Sequence, residues 1–293
     1  MLEFINVTHK YEKNNVIDNF SMKIESNSVT SLLGSSGSGK TTLLRLATGL
    51  EKIQHGKIIF NESMDSNNKN NLNTESRNIG YVFQDCALFP HLNVEENIFY
   101  GLTTDNKQIL DKINILLKNN NFLHYIKRYP HELSGGQKQL VAVFRALASD
   151  PKLIIMDEPF SNLDTRLKEE LRDQILHIIK ENQVTTLLVT HDADEAMFMS
   201  DKIGILNNGK LEQFGTPLEI YTRPKSKFVT KFFGDINVFD GLFENGKVKT
   251  VLGEFKHNKN NTQKNYSLIV RSEGLKLLSI NDKYSNNLFE IDN

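Results

Sequence analysis

The chain has 293 residues and a single cysteine, Cys86, so an internal disulfide is excluded and stability must come from a packed core. That usage fits a reducing compartment, and Cys86 reads as a small, half-apolar residue filling space rather than as a reactive thiol. Excess charge of one sign is absent. Thirty-five Lys and Arg face 36 Asp and Glu, a net charge of −1. Nothing electrostatic therefore points to nucleic acid as a partner. Long hydrophobic runs are absent too. Stretches such as residues 153–156 fall far short of the ~20 apolar residues a membrane span needs, so any membrane association is expected to come through a partner. Residues 1–13 carry Glu3 among scattered apolar positions and are expected not to form a secretory signal, which needs a basic stretch and an apolar core.

What is present is ordinary for a folded protein. The 39% hydrophobic content and the length suit one large α/β domain with a small appendage. Asn and Lys concentrate in segments such as 67–73 and 258–261, which read as surface loops because Asn tolerates turn geometry.

Apolar residues alternate with polar ones at Leu2 and Phe4, then at Phe20, Met22 and Ile24, which predicts an antiparallel strand region. Residues 29–33 read as a buried strand that breaks at Gly34. Leu43, Leu44, Leu46, Ala47 and Leu50 then recur at helical spacing. Residues 57–60 and 79–83 read as strands separated by a polar loop. Residues 94–102 and 105–117 read as helices, and another begins near Ser134. Residues 153–156, 185–189 and 203–206 read as buried strands. Between the first two, Leu167, Leu171, Ile175 and Ile178 mark one face of an amphipathic helix. Strands alternating with helices predict an α/β core with parallel strands. The character shifts near Phe233 and Gly234, and residues 247–252 and 266–271 read as short strands. The expected division is an α/β domain at 1–234 and a small β-rich domain at 235–293.

Gly34-Ser35-Ser36-Gly37-Ser38-Gly39-Lys40-Thr41 fits G-x-x-x-x-G-K-[ST] between a strand and a helix. Glycines let backbone N–H groups close around phosphate oxygens, and the helix N-terminus adds partial positive charge. Lys40 would face the β- and γ-phosphates, and the Thr41 hydroxyl would face Mg2+, with Thr42 following in the helix. Alone, the motif implies nucleotide binding, a property kinases and GTPases share.

The apolar run at 153–156 ends in Asp157-Glu158. Ligands of open α/β sheets bind at the carboxyl ends of strands. Asp157 there would hold Mg2+ and Glu158 would act as general base on an attacking water.

Leu133-Ser134-Gly135-Gly136-Gln137 opens a predicted helix and forms a second candidate anion-binding site. LSGGQ between a phosphate loop and an Asp-Glu strand resembles the ABC ATPases, over residues 1 to about 234. The resemblance implies the ABC form of the P-loop NTPase fold, with a helical subdomain, and it implies ATP and Mg2+ as ligands. It also gives roles to residues that are unremarkable by themselves. Gln84 resembles the family's glutamine loop, which senses Mg2+ and the attacking water. Ser161-Asn162-Leu163-Asp164 resembles its D-loop, and His191 its switch histidine at the γ-phosphate. Tyr11 resembles the aromatic that stacks on adenine. Without the family, His191 is a loop histidine, Gln84 a polar strand end and Tyr11 a rim aromatic.

In this family two ATPase domains pair head to tail, the phosphate loop of one and the LSGGQ of the other enclosing each ATP. One set of motifs here implies a dimer, most simply of two identical chains. The run Lys138-Gln139-Leu140 departs from the usual Gln-Gln-Arg, so any salt bridge made by that Arg is absent, whereas Arg145 is retained.

The absence of a second ATPase domain, of coiled-coil insertions and of membrane helices sets aside translation, repair and many export members. Phe89-Pro90-His91-Leu92-Asn93-Val94, Thr190-His191-Asp192-Ala193-Asp194-Glu195-Ala196 and Phe233-Gly234-Asp235-Ile236-Asn237 resemble importers of ferric iron, sulfate, polyamines and sugars. That branch continues into a C-terminal β-barrel domain of OB or TOBE type, where Arg271-Ser272-Glu273 resembles its Arg-Pro-Glu. The tail here is shorter than in most such relatives, and both a regulatory and a stabilising or dimerising role remain open for it. The resemblance implies permease subunits as partners, contacted by residues 85–100 unless that surface is only a core edge. It also implies an indirect link to a solute-binding protein and a place on the cytoplasmic face of the inner membrane. Leu88-Phe89-Pro90-His91-Leu92 resembles the ferric-iron members most. Sulfate, polyamine and thiamine remain alternatives, because the solute touches the binding protein and permease instead.

Overall fold

The alternating amino end forms β1 (Leu2–Tyr11) and β2 (Asn14–Ile24), paired antiparallel with Leu2 opposite Ile24 and Phe4 opposite Met22. Alternation places Leu2, Phe4, Val7, Phe20, Met22 and Ile24 on one buried face. The chain continues through β3 (Val29–Gly34) and α1 (Lys40–Thr48) to β4 (His55–Phe60) and β5 (Met64–Asn67). The first sheet has the order β2-β1-β4-β5. The segment between residues 60 and 79, expected as polar loop alone, thus contains a strand. Its polar sequence hid it, because an edge strand pairs on one side only and needs no apolar alternation. This computed structural model describes residues 1–12, 14–60, 64–67, 72–102, 107–161, 163–244, 246–256 and 265–272. The expectations that touch Lys13, Asp105, Asn162, Glu273 and residues 68–71 and 258–261 lie outside these residues.

Next come β6 (Ile79–Val82), α2 (Val94–Phe99), α3 (Lys107–Asn119), α4 (Gly135–Ala148), β7 (Leu153–Asp157), α5 (Thr165–Glu181), β8 (Thr185–Thr190), α6 (Ala193–Met199), β9 (Lys202–Asn207) and β10 (Lys210–Gly215). The second sheet has the order β10-β9-β3-β8-β7-β6. Five strands are parallel, as the strand–helix alternation predicts, and β10 joins the edge antiparallel. The correction follows from Asn208-Gly209, whose φ values of 46° and 76° make a two-residue hairpin turn between β9 and β10.

The central strands are apolar without a break because both faces are covered. Ile154 and Met156 of β7 enter one core, and Leu153 and Ile155 enter another. The first core holds α4 residues Val141, Val143 and Phe144 with Ile113 and Leu117 of α3. The second lies against the first sheet and α1, with Leu43, Leu44 and Ala47. The strand ends that carry Gly34, Asp157 and Thr190 are thereby fixed from both sides. Among the described residues no helix is long and apolar enough to cross a membrane.

Met1–Leu218 forms one compact unit and Glu219–Asn293 a second, which begins within α7 (Pro217–Thr222) and includes α8 (Lys227–Lys231). The sequence expectation places the change near residue 234. In the second unit the Arg271 guanidinium donates to the Tyr221 carbonyl at 2.7 Å and lies 4.0 Å over its ring, which ties the 219–234 segment to the strands that follow. Those strands are β11 (Ile236–Glu244), β12 (Lys247–Thr250), β13 (Gly253–Lys256) and β14 (Asn265–Arg271), in the antiparallel order β13-β12-β11-β14. Short strand-like runs predict β12 and β14. β11 and β13 complete the sheet; along β11 only Gly241 is buried, and Leu242 is exposed.

Candidate nucleotide site

β3 ends at Gly34, and the next five residues turn the chain into α1. The α1 N-cap is Gly39, at φ 109°, with no side chain to occupy the first N–H groups of the helix. A Cβ on Gly39 would meet Ile17 Cδ1 at 2.7 Å and Val16 O at 2.8 Å, so glycine is required there for backbone angle and space. Ser35, Ser36, Gly37 and Thr41 face solvent, whereas Ser38, Lys40 and Thr42 are buried. Lys40 Nζ donates to Gly34 O at 2.8 Å and to Ser35 O at 3.1 Å, which curls the loop around its ammonium. Burial holds Lys40 below the ordinary lysine value, and Glu158 and Asp157 oppose that shift.

The acidic pair stands beside it. Glu158 Oε1 is 4.0 Å from Lys40 Nζ, and its Oε2 is 3.0 Å from His191 Nδ1. Glu158 adopts φ 45°, a left-handed backbone unusual for a residue with a Cβ, and its N–H is anchored on Val189 O at 2.8 Å. Asp157 accepts a hydrogen bond from the Tyr81 hydroxyl at 3.1 Å. Burial pushes the Asp157 carboxyl above its ordinary range, with Glu158 adding to the shift while Tyr81 and Lys40 oppose it. Lys40, Asp157, Glu158 and His191, distant in sequence, thus meet at the carboxyl ends of β3, β7 and β8.

The other expected residues lie apart from that cluster. Gln84 is exposed just beyond β6. Tyr11 is 41% exposed, its hydroxyl 3.3 Å from Glu51 and its ring edge-on to His9. Ser134 caps α4: its Oγ accepts from Gln137 N–H at 3.3 Å while Gln137 Oε1 accepts from Ser134 N–H at 2.9 Å. Gly135 leaves room for Leu163, just ahead of α5, and Gly136 for Leu167 within it, since a Cβ would stand 3.1 Å and 3.3 Å from them respectively. Asp164 caps α5 through Leu167 N–H at 3.0 Å. Among the described residues no hydrogen bond links Gln84, Ser134–Gln137 or Asp164 to the Lys40–Glu158 cluster.

Leu140 belongs to the apolar core, so the missing charge at this position leaves no gap. Its neighbour Gln139 accepts from Cys86 Sγ at 2.8 Å. Burial, aided by Asp85, pushes the Cys86 thiol up to about 11, which keeps it protonated and inert at neutral pH. Arg145 donates to the carbonyls of Cys86 at 2.8 Å and Ala87 at 2.7 Å, two residues with positive φ, and so pins the loop that follows Gln84.

Three supports escape the sequence reading. Gly209 N–H donates to Ser38 O at 2.9 Å and buttresses the phosphate loop from behind, and its Asn-Gly turn is the signal that could have found it. Tyr81, which holds Asp157, has no local signal. Arg77 is buried and donates to the Leu46 and Ala47 carbonyls at 2.6 and 2.7 Å, which caps the far end of α1 with positive charge. Burial draws its pKa down to about 10, so it stays charged at neutral pH.

The donor set fits a polyphosphate carried with a divalent cation. The first N–H groups of α1 are open, the buried Ser38 hydroxyl has no hydrogen-bond partner among the described residues, and the half-buried Asp157 carboxyl belongs to the same cluster. Comparison with known proteins agrees. A family model described as "ABC transporter" matches residues 17–161. The chain is 40% identical over 287 residues to the spermidine/putrescine import ATP-binding protein PotA of Borreliella afzelii, covering 95% of this chain and 81% of that one. It is 42% identical over 248 residues to the sulfate/thiosulfate import ATP-binding protein CysA of Neisseria meningitidis, covering 82% and 68%. The ATP-binding cassette MJ0796, solved as a dimer in a post-hydrolysis state with ADP and Pi, superposes with TM-score 0.61 at 28% identity, over 74% of this chain and 99% of that one. The motifs, their geometry and these relatives together place the chain in the ABC transporter ATP-binding family, as an ATP-hydrolysing subunit of the import type.

Proposed function

We propose that this subunit powers polyamine uptake. The observation that carries the reading is the extent of similarity: the spermidine/putrescine relative aligns across 95% of the chain, including the second unit, against 82% for the sulfate relative. Sulfate import is the second reading, favoured by its marginally higher identity over the shorter span. Ferric iron, to which residues 88–92 pointed, is not a solute named for these relatives.

In this reading Gly34–Thr42 cradle the triphosphate, with Lys40 at the β- and γ-phosphates, and Tyr11 stacks on adenine. Thr41, Gln84 and Asp157 would hold Mg2+, which neutralises phosphate charge when bound. Glu158 accepts the proton of the attacking water, and His191, 3.0 Å away, orients that carboxylate and faces the γ-phosphate. Ser134–Gln137 and Asp164 serve the ATP held by a second copy, which closes a head-to-tail dimer. The surface at 85–100 docks permease subunits at the cytoplasmic face of the membrane, and a solute-binding protein delivers the polyamine. The ATPase domain occupies 1–234 and a small β-rich domain 235–293.

Replacing Glu158 by Gln is expected to lower ATP turnover by about 10²–10⁴ while ATP binding persists. More than about a tenth of wild-type turnover would remove Glu158 from this role. The solute is tested in cells lacking the chain by uptake of labelled spermidine and labelled sulfate. Loss of spermidine uptake alone is expected. Loss of sulfate uptake alone establishes the second reading, and loss of neither overturns both.

A further inference from the structure

His191 is half-exposed, and its ring makes one side-chain hydrogen bond among the described residues, to Glu158. Its position therefore depends on the backbone either side of it. Thr190, just before, is buried, and its Oγ1 accepts from the Asp192 N–H at 3.0 Å, bracketing the histidine. The same hydroxyl donates to Glu195 Oε2 at 2.5 Å. Glu195 is 2% exposed, and its other oxygen lies 2.6 Å from Lys168 Nζ. Lys168 also reaches Asp192 Oδ2 at 2.5 Å, and Asp192 Oδ1 accepts from the N–H groups of Asp194 and Glu195. One ammonium on α5 thus pairs with two carboxylates at the start of α6, one of them buried, and removing the cation from a buried ion pair is strongly destabilising.

We propose that Lys168 is a positioning residue for ATP hydrolysis, acting through Asp192, Glu195 and Thr190 to hold His191 against Glu158. The proposal rests on the roles given above to His191 and Glu158. α5 is also the helix whose first turn lies against Gly136 through Leu167, with Leu163, just before its cap, against Gly135. A shift at the signature segment therefore reaches the histidine through one turn of helix and one ion-pair network.

The test is steady-state ATPase kinetics on the full chain. Lys168→Met is expected to lower kcat about 10–100-fold with KM for ATP changed by less than about twofold, because misplacement of a group that acts in the transition state spares ground-state binding. Lys168→Arg keeps the charge and should restore kcat to within about threefold. In a double-mutant cycle, Lys168→Met should cost almost nothing further once His191 is Ala. A full additional loss in that background overturns the proposal and leaves the histidine reading intact. An unaffected His191→Ala single variant overturns the histidine reading, and the proposal with it. If Lys168→Met does not fold, Thr190→Val decides, since it removes the bridging hydroxyl and no charge. A several-fold fall in kcat at constant KM supports the chain of contacts, and an unchanged kcat overturns it.

Discussion

Two helices in this molecule begin with a glycine-rich, serine-containing turn, and their first turns are finished differently. α1 starts from Gly39, which offers no side chain to its N–H groups, and a buried lysine stands behind the loop. α4 starts from Ser134, which with Gln137 satisfies two N–H groups reciprocally. Both helices carry the same partial positive charge at the N-terminus. The α1 end is therefore open to an anion at once, whereas the α4 end must exchange internal hydrogen bonds for external ones. A cap of this kind is worth about 0.5–2 kcal/mol, so α4 binds phosphate well only when something else brings the phosphate to it. Two copies facing head to tail would meet that condition, the α1 end of one holding the ATP that the α4 end of the other touches.

The largest effects should fall on opposite sides of this comparison. Lys40→Met removes the charge behind the open end and is expected to weaken ATP binding by about 100-fold or more, measured by titration calorimetry at concentrations where the chain is monomeric. Ser134→Ala should leave that monomeric affinity within about twofold and instead lower turnover by about 10–100-fold, at a stability cost of about 1 kcal/mol for the lost cap. Equal losses of monomeric affinity in the two variants would erase the distinction between the two helix starts.

An intermediate effect probes how the open end is held open. Gly209 at φ 76° donates to Ser38 O, and a Cβ there would stand 2.3 Å from Val16 O. Gly209→Ala must move the hairpin away from the loop. It is expected to cost about 2–4 kcal/mol in denaturant unfolding and to weaken ATP binding in proportion. A substitution at Gly37, with open space around it, carries the backbone cost without the collision, so Gly37→Ala should lose less stability.

How far these features were legible depends on whether their causes are local. The α1 start was legible because strand, glycines, lysine and helix are contiguous. β7 and β8 were legible because burial on both faces writes itself as an unbroken apolar run. β10 has a local signal in Asn208-Gly209, and β5 has none, since an edge strand tolerates a polar sequence. Tyr81 with Asp157 and Lys168 with Asp192 are 76 and 24 residues apart. Such pairs are set by strand order and helix packing, and one sequence carries no trace of them. The α4 start was legible as a motif, but its self-satisfied state follows from side-chain geometry alone.

The smallest effect uses a third helix start as the control. α6 begins at Asp192, whose carboxylate caps the helix as Ser134 caps α4 but also meets Lys168. Burial alone would raise the Asp192 carboxyl, but the Lys168 hydrogen bond and the N–H groups of Glu195 and Asp194 outweigh it and hold the group below its ordinary value. A folded-state pKa below the unfolded one stabilises the fold above the unfolded value, and that stability is lost as pH falls through the folded value. Asn is as good a cap as Asp, so Asp192→Asn isolates the charge. The variant is expected to melt about 1–3 °C lower than wild type near pH ~7, with the gap closing as pH falls below ~4. Burial alone would depress Lys168, but its hydrogen bonds to Asp192 and Glu195 hold it above the ordinary lysine value. Its share of the stability is accordingly complete at neutral pH and is lost only on the alkaline side, as pH rises through that folded value. Ser134→Ala has no titrating group at its cap, so its stability loss should stay flat over the same acid range. A flat difference for Asp192→Asn as well would mean that α6 is held by its cap and not by the lysine, which would make its start a second copy of the α4 end.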